Sequence, residues 1–447
     1  MTLLTYAFVN IYGDTSNNYG YDMVITSSKD IVIVGRDEMS GFVMKLDSSG
    51  NVKWIKRIGG TYTINGITET PDKNYIISGQ ANYGTFIAKT DTSLSGIWSK
   101  RISLYETSSG YKIARLTSGN YLVMDLLRGL IVISENGNIL LTSQERTYTS
   151  GYFYGVTSRW NGGYAIVGDF NNEMILIKDD FSLNHFGIYP SKGYYILENP
   201  DTTYFIVGTY ASRGILIKLN SDFNVLWTKI YSNVNSFRYI TKTADENYLM
   251  VGNFKPNLDS THIVFVKIDS NGNIINSKIF KTNFNKYVSD VEYVDQNLYI
   301  LSNIYKDGDY NMLLMKLKEG NEHLICNLYD HTISVKDTSI SRMSVGHIYY
   351  TGNSSNNYNF SLTNLFFNIT DLCSSGEKEC IKDNFNISIK HNKVYLSSEN
   401  GINISLYTID GRVLKSFYLK GKKILELKNG VYVIKAGNFN KTIVIRK

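Results

Sequence analysis

Short runs in which apolar residues are continuous or alternate with polar ones fill the chain, and one such run recurs eight times: DIVIVG, NYIISG, NYLVMD, GYAIVG, TYFIVG, NYLMVG, NLYILS and HIYYTG. The copies end at Gly35, Gly79, Asp125, Gly168, Gly208, Gly252, Ser302 and Gly352, 40 to 50 residues apart. Soon after each of the first seven comes a second apolar run (GFVMKLD, TFIAKTD, GLIVISE, MILIKDD, GILIKLN, IVFVKID, MLLMKLK), then commonly a polar turn such as SSGN, ENGN or SNGN and another strand-like segment. Gly and Asn tolerate the positive φ of tight turns, so each unit reads as about four short strands joined by turns. Four-stranded units at this period are the signature of a β-propeller. A solenoid is the competing architecture, and the chain ends argue against it. Residues 5–13, TYAFVNIYG, match the fourth strand of a unit (LWTKIYS, VKWIKRIGG), while the eighth unit lacks an obvious outer strand. The sequence therefore predicts an all-β fold, an eight-bladed propeller over residues 1–370 whose last blade is completed by the N-terminal strand, leaving no open sheet edge at the join.

On these motifs the repeat resembles the propeller repeats of secreted bacterial and archaeal proteins, whose units carry a glycine-ended second strand and a KLD..GN..W....GG hairpin. It also resembles the quinoprotein-like repeat, in which a Trp of the last strand docks onto the next blade; Trp54, Trp98 and Trp227 occupy that place. The resemblance covers about residues 5–370. It implies a fold and no particular function, because one propeller scaffold carries enzymes, binders and scaffolds alike.

From Phe385 the period is lost, and shorter alternating runs (FNISIK, KVYLSS, INISLYT, RVLKSFYL, KKILELK, GVYVIKA, KTIVIRK) predict about seven strands of a small C-terminal β-sandwich over 385–447, reached through a polar linker at 371–384. The Asp-Gly of IDGRV is a strong hairpin signal. This stretch resembles the C-terminal sorting domain of the type IX secretion system. The matching residues are Tyr407 with Asp410, Gly411 and Arg412, then Gly430, Val431 and Tyr432, then the lysine-ended strand to Lys447. The resemblance implies export across an outer membrane followed by attachment or release; a permanent docking module of the same type is the other expectation.

The chain has 447 residues, 43% hydrophobic and 19% charged, enough to bury a sizeable core. Its net charge of +6 is uneven: residues 381–447 carry +9 and the rest −3. The lysines of the tail are scattered along strand-like sequence, which argues against nucleic acid as a partner. Cys373 and Cys380 bracket a short polar loop and would pair in an oxidising compartment, the other reading being two free thiols in a linker; Cys326 reads as a core thiol. All six Asn-x-Ser/Thr sequons, at Asn353, Asn359, Asn368, Asn386, Asn403 and Asn440, fall in the last 95 residues, the pattern of a glycan-bearing extracellular surface. No apolar run approaches the ~18 residues of a membrane-spanning helix. The first residues show no signal-peptide pattern, so the chain is either intracellular or lacks its leader, and the other features favour the second.

The six histidines are scattered, and no GxSxG, GxxxxGK[ST] or GxGxxG pattern is present, so the sequence offers no metal site, catalytic constellation or cofactor-binding motif. Acidic pairs such as Asp179 and Asp180 read as turn residues. Lys45, Lys89, Lys178, Lys218, Lys267 and Lys316 recur at one place in six units, where lysines laid along a neighbouring blade are favoured over a cationic ring around a channel. The expectation is a secreted or cell-surface, non-enzymatic binding or structural protein, such as a subunit of a surface layer or filament. Its partners would be other copies of itself, cell-envelope components and glycans. The rival is a secreted propeller glycosidase or lyase acting on polysaccharide.

Overall fold

Six times in succession the chain lays down four antiparallel strands and moves on, at residues 19–59, 63–102, 110–144, 151–185, 191–231 and 236–280, and a seventh group at 285–318 has three strands of its own. The structure is a computed structural model. It describes all residues except 1–7, 83, 104–108, 126–128, 145–150, 161, 179–181, 257–259, 282–283, 307, 319–327, 341–342, 348, 351–354, 358–359, 366–367, 372–384, 391–392, 409–412, 427–429, 437–438 and 446–447. The missing strand of the seventh blade is Phe8–Gly13, which pairs with Asp309–Lys318 from Phe8↔Lys316 to Tyr12↔Met312. Val9, Ile11 and Tyr12 are buried there, and the Tyr12 hydroxyl donates to the Gly50 carbonyl of the first blade at 2.6 Å.

The expected eighth blade does not exist; the ring has seven. Seven short strands between Leu328 and Asp371 instead form a belt that runs round the ring against the order of the blades, adding one outer strand to each. Leu328–Asp330 pairs with blade six, Val335–Thr338 with blade five, Met343–His347 with blade four and Tyr349–Tyr350 with blade three. Ser355–Asn357 then pairs with blade two, Ser361–Asn364 with blade one, and Asn368–Asp371 lies outside Phe8–Gly13 on blade seven. A step of six to eight residues per blade is what extended chain needs to pass from rim to rim, and is far too short for four strands. The phrase HIYYTG is thus split between two blades. The contrary signal was already in the sequence, since no second apolar run follows Gly352. Along the belt, single apolar residues anchor polar strands: Phe360 and Leu362 pack on the core shared by blades one and two, Ile333 and Val335 on that of blades five and six.

The glycine that ends the repeated phrase has a steric cause. The innermost strand of every blade carries a β-bulge. The bulge folds its backbone over the second strand, so that a Cβ on Gly35 would stand 1.9 Å from the Tyr19 carbonyl oxygen and one on Gly79 2.0 Å from that of Thr63. Any side chain there would collide with backbone that cannot yield.

The tryptophans dock as the repeat resemblance implied. Trp98 donates to the Glu135 carbonyl of the next blade at 3.0 Å, and Trp227 lies against Gly272. The recurrent lysines stand on the third strands, away from the ring axis. Lys45, Lys89 and Lys267 pair with Asp30, Asp72 and Asp245 in the first turn of their own blade at 3.2, 2.8 and 2.8 Å, and Lys316 donates to the Ser48 carbonyl of blade one at 2.9 Å.

By contacts the chain divides into Met1–Glu322 with Leu328–Thr370, and Asp371–Lys447 with His323–Asn327. The described residues of the second unit form one antiparallel sheet of five strands, Phe385–Lys390, Lys393–Thr408, Val413–Glu426, Gly430–Ala436 and Phe439–Ile445, where about seven strands in a sandwich were expected. KVYLSS and INISLYT are one strand, because residues 399–401 make a register shift and no turn; RVLKSFYL and KKILELK are likewise one. Val394, Leu396, Ile404, Leu406, Leu419, Leu425 and Ile434 are its buried side chains.

A chain ending at Lys318 should lose the belt pairing on all seven blades. At about 0.5–1.5 kcal/mol net per hydrogen bond it should be several kcal/mol less stable than a chain ending at Thr370, and it should self-associate through the bared edges. Equal melting temperatures and equal monomer fractions for the two chains would show that the belt is an ornament of the rim.

Candidate functional site

A bulge sets two residues opposite one and re-aims the extra side chain. In this ring the unpaired residues are Tyr21, Asn65, Tyr111 with Lys112, Tyr154, Tyr194, Arg238 and Ser289, one position per blade with two in blade three. All except Asn65 line a cavity of about 310 Å³ enclosed by the innermost strands of the seven blades, together with Asp22, Tyr195, Tyr239, Asp290 and Glu292. The cavity is the axial channel of the propeller.

Its charges form a bridge between blades. The Lys112 ammonium of blade three bonds the carboxylates of Asp22 in blade one and Asp290 in blade seven, the latter at 2.6 Å. Asp22 also accepts the Ile67 N–H of blade two at 2.9 Å, and Asp290 the Met23 N–H of blade one at 3.0 Å. Burial works against the Lys112 charge, but the two carboxylates outweigh it and hold its pKa well above the usual lysine value. Burial raises Asp22 to about 7; Lys112 opposes that shift and Asp290 adds to it. Glu292 is pushed well above the ordinary carboxylate range, first by burial and then by the charges of Asp290 and Asp22.

The rest of the lining is aromatic. Burial pushes Tyr21 up to about 12 and raises Tyr111, Tyr154, Tyr195 and Tyr239 as well, so these phenols remain neutral. Tyr154 and Tyr194 have ring centroids 5.1 Å apart, Tyr195 and Tyr239 4.5 Å. The Arg238 guanidinium lies 3.7 Å above the centre of the Tyr194 ring, a cation–π contact, and its Nε is buried with no hydrogen-bond acceptor. Asp22 and Asp290 are committed to other blades. The groups left to meet a ligand are Arg238, Glu292 and the tyrosines. Among the described residues no cluster of three His, Cys, Asp or Glu is placed to hold a metal ion.

None of the residues singled out in the sequence lines this channel. Cys373, Cys380, Asn353, Asn359, Asp410, Gly411 and Arg412 lie outside the described residues, as does the 372–384 part of the linker. Asn368 is in the last belt strand; Asn386, Asn403 and Asn440 are in strands of the C-terminal sheet. Gly430, Val431 and Tyr432 open the strand that pairs with Lys393–Thr408 and Phe439–Ile445. The signal for the channel was the first strand of the unit, where in five of the seven blades Tyr, Lys or Arg interrupts the alternation at one place of the repeat, with Asn65 and Ser289 in the other two.

A second buried charge lies between blades six and seven. Lys286 is fully buried, its Nζ donates to the Phe284 carbonyl at 3.1 Å, and burial lowers its pKa to about 7. Burial, and after it the charge of Lys286, lowers His262 to about 4, so His262 is neutral at pH 7.

No protein-family model matches the sequence, and no curated protein matches it. Solved structures match the fold. A catalytically inactive virginiamycin B lyase from Staphylococcus aureus with quinupristin aligns over 69% of this chain and 99% of its own at 13% identity and a TM-score of 0.52. The selenomethionine form of that lyase gives 0.49 at 12% identity, over the same shares of the two chains. BamB from Moraxella catarrhalis gives 0.39 at 12% identity, over 66% and 84%. The chain is a seven-bladed β-propeller with a C-terminal β unit, and at these identities the likeness is one of fold alone. Among the described residues no helix is long and apolar enough to cross a membrane.

Two predictions follow from these charges. Lys112→Met leaves two buried carboxylates facing each other and should cost about 3 kcal/mol by denaturant unfolding, more than Asp22→Asn, which leaves one carboxylate still paired. An equal or smaller loss for Lys112→Met would mean that the bridge does not tie the blades. For Lys286 the folded pKa lies below the unfolded value of 10.5, so the folded state binds fewer protons between pH 7 and 10.5 and stability rises with pH across that window. Lys286→Met should raise the melting temperature at neutral pH and abolish the rise; thermal melts from pH 6 to 10.5 check both.

Proposed function

We propose that the protein is a secreted or cell-surface binding and assembly module, with the propeller as body, the axial channel as ligand site and the C-terminal unit as sorting, anchoring or assembly element. The observation that carries this reading is the commitment of Asp22 and Asp290: both are spent on Lys112 and on backbone N–H groups of neighbouring blades, which makes them parts of the ring and leaves no free carboxylate pair for hydrolysis. Export is supported by the confinement of all six sequons to residues 353–440, by the cysteine pair and by the tail's resemblance to a sorting domain. The belt occupies the outer edge of every blade, so copies or envelope components would meet this chain through its faces or its C-terminal unit.

A propeller enzyme acting on polysaccharide is the second reading, and Glu292 favours it. A carboxyl whose pKa is raised by burial and by neighbouring carboxylates in a tyrosine-lined cavity is the environment of a general acid. Virginiamycin B lyase is itself an enzyme on a similar ring, so the scaffold admits chemistry.

In the native host, full-length protein should be labelled by a membrane-impermeant reagent and a chain ending at Thr370 should not be retained at the surface. A truncated chain that still reaches the surface and still associates would remove the sorting and assembly role. Turnover of a polysaccharide that is lost in Glu292→Gln would decide for the enzyme.

A further inference from the structure

We infer that the axial channel recognises a small sugar acid, a ligand of single-ring size bearing one carboxylate, with Arg238 as the group that reads the carboxylate. This deepens the reading of the channel as a ligand site and rests on it. The cavity, at about 310 Å³, is at the small end of the range of about 300–1,000 Å³ for ligand pockets, which suits one ring.

Arg238 supplies the chemical class. It has no hydrogen-bonded or ionic partner among the described residues; its guanidinium rests on the face of Tyr194, and its Nε is shut off from water without an acceptor. A buried donor left in that condition is costly, and a guanidinium stacked on a ring keeps the N–H rim in its own plane, the geometry that a carboxylate fills with two parallel bonds. A cationic ligand is disfavoured by the same residue. The hydroxyl-bearing ring is read from the rest of the lining. Tyr21, Tyr111 and Tyr194 bring flat faces and phenol groups from three blades, and Glu292 adds a carboxyl that can meet a ring hydroxyl.

The test is calorimetric titration of the full-length protein with glucuronate, glucose and acetate, which present the carboxylated ring, the ring alone and the carboxylate alone. Glucuronate should bind at least tenfold more tightly than either of the others. Arg238→Gln should bring glucuronate down to the level of glucose with an unchanged melting temperature, and Tyr194→Phe, which keeps the stacking face, should retain the preference. Equal binding of the three compounds, binding of none, or an unchanged glucuronate affinity in Arg238→Gln would each overturn the inference. Those outcomes leave the surface-retention experiment untouched, so the ligand class and the surface role stand or fall separately.

Discussion

The close approach of two backbones at one point in each blade governs most of what is specific to this ring. Where the innermost strand bulges, its carbonyl comes within about 2 Å of where a Cβ of the second strand would be, and five of the seven blades answer with glycine at that place, at Gly35, Gly79, Gly168, Gly208 and Gly252. The same bulge frees one side chain from the pleat and delivers it to the axis. The glycine that makes the repeat visible and the residues that line the channel are therefore two consequences of one local geometry. Blade three departs from it: Asp125 replaces the glycine, is buried, and accepts the Thr85 hydroxyl of blade two at 2.5 Å, and two residues are unpaired there in place of one. The second of these, Lys112, is the lysine that bridges the channel.

That explains how far the sequence could be read. The period, the turns and the strand count of a blade are local properties, and each is carried by contiguous residues such as KLDSSGNVKWIKRIGG. Closure by the N-terminal strand was legible too, because residues 5–13 match the outer strand of a unit such as LWTKIYS, although the blade completed is the seventh. The number of blades was not secured, since HIYYTG imitates the repeated phrase while serving two blades of the belt with a few residues each. The channel was beyond direct reading, because its members stand one per unit and only ring closure brings Asp22, Lys112 and Asp290 together. In the C-terminal unit, alternation was read correctly and the turns were not: ENG within residues 399–401 looks like a turn and is a shift of register inside one long strand.

The belt changes the meaning of the outer surface. A four-stranded blade ends in a row of unpaired backbone groups, an invitation to pair with other chains. Here that row is filled by strands of two to five residues, separated by crossings between blades, so that the new edge is too short and too interrupted to template a partner. Their side chains agree with that role: Asp330, Lys336, Asp337 and Thr363 face solvent, while Phe360 meets Phe86 edge-on at 5.7 Å and pins the strap to blade two. Association of this chain is thereby left to surfaces other than blade edges.

Inside the ring, stability and recognition draw on the same small set of charges. Two carboxylates and one ammonium tie blades one, two, three and seven at the axis, and the charges of Asp290 and Asp22 add to the burial that raises the pKa of Glu292. A raised Glu292 pKa lessens the repulsion that an incoming anion would otherwise meet, and among the described lining residues Arg238 is the positive charge that no carboxylate takes up. The ion bridge thus sets the electrostatic sign of the space that Arg238 serves. Weakening the bridge would alter ligand preference even where the fold survives, because the field at Glu292 and the spacing of the inner strands would change together.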